Sequence, residues 1–217
     1  MAAPVTIHFF RHGDKDGDRL TPQGRDQALD AGRELRKTVP KNAVVKMYAS
    51  PTVRTQQTGD YITEGLGPDR RVRVPRVRKK LEIAPLSPTG MGLYKALGQD
   101  KYIEMWLKGL LPKEAAEPAV EKAAKMRRQT VEFAARLNRS FAALPWYKRA
   151  FGRRPVHLVY VTHQGNLEAL AMSLTGKGFE ELGGGSGHLE HLAITVPVKG
   201  GLKVEYKGRA HEALRRE

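Results

Sequence analysis

Cysteine is absent from this 217-residue chain. That absence excludes disulfide frameworks, cysteine-ligated zinc, iron–sulfur clusters and thiol nucleophiles together. Aromatic residues are sparse at 7%, and the basic runs have almost none interleaved with them, which argues against a stacking platform for single-stranded nucleic acid. Acidic residues are the minority charge: 23 Asp and Glu stand against 38 Lys and Arg, a net charge of +15. Such a surplus attracts polyanions, phosphorylated small molecules or anionic lipid heads without choosing among them. Long apolar runs are missing too. Residues 1–10 lack the charged start and extended apolar stretch of a signal peptide, so the expectation is a soluble, cytoplasmic protein that makes no use of a membrane. Glycine (22) and proline (13) are too few for a low-complexity chain, and 40% hydrophobic residues suffice for a packed core. The length suits a single domain over residues 1–217.

Within that frame the chain repeats a strand–loop–helix pattern. Val5 to Phe10 (VTIHFF) is a short apolar run rich in β-formers that opens into the polar RHGDKDGD loop. Thr21-Pro22 then pairs an N-cap with a proline at the first helical position, and helical spacing continues to Pro40. Ala43 to Ala49 repeats the strand signal, with Ser50-Pro51 predicted as the next cap-and-proline helix start. Val156 to Thr162 (VHLVYVT) is the strongest strand signal and ends in the polar turn HQGN before a helical LEALAMSL. Leu189 to Val198 and Leu202 to Tyr206 read as a closing hairpin. Helix formers dominate from Met91 to Leu111 and from Ala119 to Leu144, which suggests a helical cap inserted at about 85–150. Residues 66–80, with seven Lys and Arg against Asp69, fit an edge strand or exposed loop, and residues 148–154 add four more basic side chains.

Strands alternating with helices predict an α/β fold: a three-layer α/β/α sandwich around a mostly parallel sheet, with ligand groups on the loops at the strands' carboxyl ends. That rule alone selects Arg11 and His12, Ser50 to Arg54, and His163 to Asn166. A neutral imidazole can attack phosphorus, and a guanidinium grips phosphate oxygens in pairs while offsetting their charge. A leaving alkoxide needs a proton as well, which calls for a carboxylic acid kept protonated by its surroundings.

Arg11-His12-Gly13, Leu20-Thr21-Pro22-Gln23-Gly24, Ser50-Pro51 with Arg54 and Gln57-Thr58, Leu81-Glu82 and Val161-Thr162-His163 together resemble the histidine phosphatase superfamily, in its phosphoglycerate mutase-like branch. The resemblance implies that His12 is the phosphorylated nucleophile, that Arg11 and Arg54 bind phosphate, and that His163 is the second catalytic histidine. It puts Glu82 in the position of the acid that protonates the leaving group and then activates water. Asp14 and Glu168 are the rival acids. Gln164 is expected at the phosphate site, where it and Gly165 offer main-chain donors at a helix start. The short Asp14 to Asp18 loop departs from the mutases' longer stretch and favours transfer to water over mutase action. A phosphohistidine protein phosphatase remains the alternative enzyme, because the RHGD and LTPxG pair is similar to those small proteins as well. The substrate class expected first is a small phosphorylated molecule, with a phosphoprotein left open and no cofactor or metal called for.

A non-catalytic phosphate- or nucleic-acid-binding module is the rival from another class, motivated by the charge alone. His8 and His12 have the spacing of a helical metal pair but fall on a strand, so His8 reads as structural. His188 and His191 lack a surrounding carboxylate or cysteine set, and the Gly183 to Gly187 run reads as a loop near the pocket. The sequence is silent on oligomeric state.

Overall fold

The computed structural model describes residues 4–81, 87–142, 154–197 and 200–214. In chain order its elements are β1 (Val5–Arg11), the short β2 (Lys15–Asp16) and β3 (Arg19–Leu20), α1 (Pro22–Thr38), β4 (Val44–Ala49), α2 (Val53–Leu66) and β5 (Arg71–Val77). A 3-10 turn at Lys79–Leu81 follows, then α3 (Pro88–Leu97), α4 (Gln99–Leu107), α5 (Ala119–Ala142), β6 (Val156–Thr162), α6 (Asn166–Thr175), β7 (His191–Val196), β8 (Lys203–Tyr206) and β9 (Arg209–Glu212).

Seven strands form one sheet in the order β5-β4-β6-β1-β7-β8-β9. β5, β4, β6 and β1 are parallel, and β7 to β9 continue the sheet antiparallel. Every residue of β6 is buried, as a central parallel strand covered on both faces must be, and this explains why its sequence is a nearly unbroken apolar run. On one face Ile7, Phe9, Leu158 and Tyr160 pack with Met126 and Val131 of α5 and Leu167 and Leu170 of α6. On the other, Phe10, Val45, Met47 and Val159 meet Ala28 and Leu35 of α1 and Ile62 and Leu66 of α2. The α/β/α layering expected from the sequence is thus present.

The helical stretch predicted as an insertion divides in its packing. α5 belongs to the sandwich, with Met126, Val131 and Ala134 in the main core. α4 instead packs its Ile103, Trp106 and Leu107 against Ala119, Ala123 and Ala169, outside the sheet core. The basic 66–80 segment supplies β5, an edge strand as expected, whereas 148–153 lies outside the described residues. Among the described residues no helix is long and apolar enough to cross a membrane.

α1 begins as its sequence signals: Thr21 is the N-cap, its side-chain oxygen accepting from the Gly24 N–H, and Pro22 opens the helix. α2 does not. It starts at Val53 with Thr52 as N-cap, so Ser50-Pro51 forms a turn before the helix and the Ser50 hydroxyl is released for another partner. α1 and α2 touch through backbone. A Cβ on Gly32 would lie 2.3 Å from the Ile62 carbonyl oxygen, and one on Gly65 would lie 2.2 Å from that of Leu29.

A chain of histidines crosses β6, β1 and β7 on the α1/α2 side. His8 stands between His157 and His191, with ring nitrogens 2.9 Å and 3.0 Å apart and the rings stacked. Phe10 stacks on His191 at 4.4 Å between centroids. This face of β7 is only half-buried, because its residues alternate with those facing the core. The edge of the helical cover therefore takes polar rings that satisfy one another. Burial holds His157 and His191 down to about 4, and burial together with the two flanking rings pushes His8 well below its ordinary value. Each shared N···N contact holds one hydrogen, and burial disfavours a charge on any of the three rings.

Two predictions follow from this packing. Gly32→Ala will lower stability by about 2 kcal/mol, net of its gain in helix propensity, in urea unfolding. Acid is the second. Histidines whose folded affinity for protons is depressed contribute stability that is full above pH ~6.5, declines through the unfolded value, and is lost once pH falls below the folded one. Thermal melts should drop between pH ~6.5 and ~4, by roughly 1.4 kcal/mol per pH unit for each buried imidazole. A flat melting temperature across that window contradicts the neutral-trio assignment.

Candidate active site

Parallel register puts the site together. Arg11 at the end of β1 pairs with Thr162 at the end of β6, so His12 and His163 leave adjacent strands side by side, and the His12 N–H donates to the Thr162 carbonyl at 3.1 Å. Ser50, just past β4, donates its N–H to the Val161 carbonyl, which brings the third loop to the same edge. Three elements that the strand-end rule selected do converge.

The loop after β1 is braced by the motif residues around it. A Cβ on Gly13 would lie 2.5 Å from the Gly24 carbonyl oxygen, and one on Gly24 would lie 2.0 Å from that of Asp14. The two motif glycines thus admit each other's backbone. Gly13 N–H donates to the Thr58 hydroxyl oxygen, and Leu20 N–H to the Gln57 side-chain carbonyl. The Thr21 hydroxyl donates to the Asp14 carboxylate at 2.7 Å. Thr21, Gln57 and Thr58 are therefore scaffold for His12.

His12 is 4% exposed, with Nδ1 2.8 Å from the carbonyl oxygen of Gly13. That contact requires a hydrogen on Nδ1, so the lone pair resides on Nε2. Burial above all, reinforced by the positive charges of Arg54 and Arg11, lowers His12 to about 3 against the opposing Gly13 bond. The ring is neutral near pH 7. His163 crosses it edge-on at 5.5 Å between centroids. The Thr55 hydroxyl donates to the Ser50 carbonyl, so it accepts from the Ser50 hydroxyl, whose oxygen in turn accepts from Nε2–H of His163 at 2.8 Å. Burial, then His12 and Arg54, hold His163 well below its ordinary value.

Arg54 donates to Asp18 at 2.6 Å and lies 3.5 Å from Nδ1 of His163. Arg11 is turned toward the 183–190 loop, donating to the Ser186 carbonyl and approaching His188. Burial depresses its affinity for protons. Neither guanidinium is saturated: the buried Nε of Arg11 and that of Arg54 have no partner among the described residues.

The expected acids have different fates. Glu82 lies outside the described residues. Glu168 accepts from the backbone N–H groups of Gly165 at 2.6 Å and Ser186 at 2.5 Å, which ties it into the scaffold. The main-chain donor expected at Gly165 is consequently already taken by a protein carboxylate. Asp14 is held below its usual range by the Thr21 bond and by His188. Gln164 does reach the site, through its side chain: it accepts from Gln99 and donates to Asp100.

His188 is the residue sequence reasoning missed. Its ring centroid lies 5.9 Å from that of His12, and its Nδ1 is 3.7 Å from Asp14. The available signal was topological: an antiparallel strand begins at the edge where its parallel neighbours end, so the loop entering β7 had to arrive here. His191 goes instead to the histidine chain in the sheet, and among the described residues no group of three or more His, Asp or Glu could hold a metal ion.

His12, Lys15, Arg54 and His163 line one end of a cavity of about 280 Å³, with Gln99 and Gln164 beside them and an apolar lobe under α3 and α4 beyond. Arg11 lines a neighbouring cleft with Asp100 and Gly185 to Gly187.

Comparison with solved structures supports the same fold. A structure described as mycobacterial hydrolase 1 superposes with TM-score 0.61 at 22% identity, covering 95% of this chain and 99% of the other. A mycobacterial glucosyl-3-phosphoglycerate phosphatase gives 0.57 at 24% identity, with 88% and 90% covered. A phosphoserine phosphatase from Entamoeba histolytica gives 0.52 at 15%, again with 88% and 90% covered. No curated protein matches the sequence. The family model of the histidine phosphatase superfamily (branch 1) matches residues 7–205. With the two histidines, the two arginines and the motif braces in place, the chain belongs to that superfamily.

Proposed function

We propose that the protein hydrolyses phosphomonoesters through a covalent phosphohistidine on His12. The enzyme class comes with the family. The observation that carries the mechanism is the Nδ1 contact to the Gly13 carbonyl, which leaves a neutral ring with its Nε2 lone pair at the cavity.

Nε2 attacks phosphorus and the bond to the alcohol oxygen breaks as that oxygen takes a proton from the Glu82 carboxylic acid. Glu82 carboxylate then accepts a proton from water, whose oxygen attacks phosphorus; the P–N bond breaks, releasing inorganic phosphate and restoring neutral His12 and protonated Glu82. Arg54, which lines the cavity, and Arg11, in the cleft beside it, supply charge-assisted bonds to the phosphoryl oxygens. Burial first, and the positive charges around it second, keep His163 neutral; an anion bound there offsets the second and favours a proton on Nδ1, which then donates to the same oxygens. Support for Glu82 as the acid comes from its neighbour and from its rivals. The Leu81 carbonyl accepts from Thr162 at 2.6 Å and from Asn166 at 3.1 Å, right beside His163. Glu168 and Asp14 are engaged elsewhere. The bulk positive charge steers anionic substrates toward the site without contributing to the chemistry.

The test is p-nitrophenyl phosphate turnover with and without EDTA. His12→Ala should lose at least about a thousandfold in kcat, and Glu82→Gln roughly a hundredfold or more with esters of poorly leaving alcohols. Acid-labile, alkali-stable phosphate should be trapped on the wild type and be missing from His12→Ala. Full activity in His12→Ala ends the assignment.

A further inference from the structure

The cavity over His12 is two-ended, and its far end differs chemically from the end that holds phosphate. Met91 and Tyr94 of α3, Tyr102, Ile103 and Trp106 of α4, and Ala116 form it. None of these six carries a charge, and the cavity's charged lining residues, Lys15 of β2 and Arg54 in the first turn of α2, lie on the elements around His12. Ile103 and Trp106 are anchored from behind by Ala119, Ala123 and Ala169, and the Trp106 indole N–H is tied to the Glu117 carbonyl at 2.6 Å. The lobe is therefore pre-formed.

Where the two ends meet, the polar side chains lining the cavity are the neutral Gln99 and Gln164, the second of which also donates to Asp100. The Tyr94 hydroxyl donates to Gln99 at 3.2 Å, and Gln99 donates to Gln164 at 3.1 Å. The Tyr102 hydroxyl lies outside this junction, buried beside Gly90 with no partner among the described residues, and burial raises its affinity for its proton. The groups at the junction offer hydrogen bonds to an uncharged oxygen or nitrogen. A carboxylate placed against these six side chains would lose its water, and the cations that line the cavity, Lys15 and Arg54, belong to the end where the phosphoryl group sits. An aromatic ring would bury its faces against Trp106, Tyr94 and Met91 with no such cost. Size agrees: an apolar cavity of roughly 150 Å³ holds a benzene, and about 280 Å³ leaves room for a phosphoryl group as well.

We infer that the alcohol part of the substrate is uncharged and aromatic, seated in the α3/α4 lobe, so that the enzyme selects aryl or arylalkyl phosphates over phosphorylated hydroxy acids. The inference rests on the phosphatase reading of His12 and deepens it. The covalent chemistry is that already given; the lobe contributes recognition only.

The experiment compares esters whose leaving alcohols are alike in being aliphatic, so that intrinsic reactivity does not decide the result. Benzyl phosphate should exceed 3-phosphoglycerate and phosphoserine in kcat/KM by about thirtyfold or more, the effect of burying one ring. Met91 is 43% exposed, so Met91→Arg can place a cation at the lobe without emptying the core. That variant should cut the preference by about tenfold, through a rise with 3-phosphoglycerate and a fall with benzyl phosphate. Equal or greater kcat/KM for the hydroxy-acid esters in the wild type overturns the inference. A second arm works without turnover: calorimetry with the His12→Ala protein, titrating benzylphosphonate against 3-phosphonopropionate. Tighter binding of benzylphosphonate supports the aromatic lobe, and equal or weaker binding overturns it. Absence of hydrolysis with every ester strikes the phosphatase reading instead and leaves the binding result to decide the lobe.

Discussion

The approach of two backbones at Gly13 and Gly24 is the constraint on which the site depends. With carbonyl oxygens standing where side chains would otherwise begin, the loop leaving β1 can fold directly onto the first turn of α1. Thr21 then serves twice, as helix cap and as the hydroxyl that holds Asp14. Farther along the same loop, Asp18 reaches Arg54 and the first N–H of α2. The loop that carries His12 is thereby linked to both helices of one layer, and the glycine pair between α1 and α2 repeats the device deeper in that layer.

The electrostatic arrangement follows from this confinement. Two guanidiniums crowd two imidazoles in a desolvated corner, and the imidazoles respond by remaining neutral. Burial, reinforced by that positive field, keeps His12 neutral, and the Nε–H groups of Arg11 and Arg54 stand without partners among the described residues. Unsatisfied donors and repelled protons are both costly, and under the proposed function a phosphoryl group is the ligand that offsets them.

Much of this was legible in the chain. β1, β4 and β6 announce themselves because buried parallel strands leave apolar runs, and the strand-end rule then gathers Arg11, His12, Arg54 and His163 before any comparison is made. What escaped depended on contacts distant in sequence. Ser50 looks like a helix cap locally, yet its hydroxyl serves His163, 113 positions away. The Gly165 N–H looks open to an anion until Glu168 is seen to turn back onto it. His188 arrives through an antiparallel strand, and β9, with its RAHE sequence, carries no apolar alternation to betray it. The predicted insertion showed helix formers throughout; only packing separates α5, with its stripe on the sheet, from α3 and α4 over the cavity.

The histidine chain in the sheet bears on how this enzyme meets acid. His8 lies on the strand that delivers His12, and its partners lie on the strands flanking it. His12 is held to about 3 and the outer rings of the trio to about 4, all by burial first. Acid therefore acts on the central strands as well as on the loops at their ends: the sheet carries its own buried bases, and the sensitivity of the fold to low pH is in part a property of β1, β6 and β7.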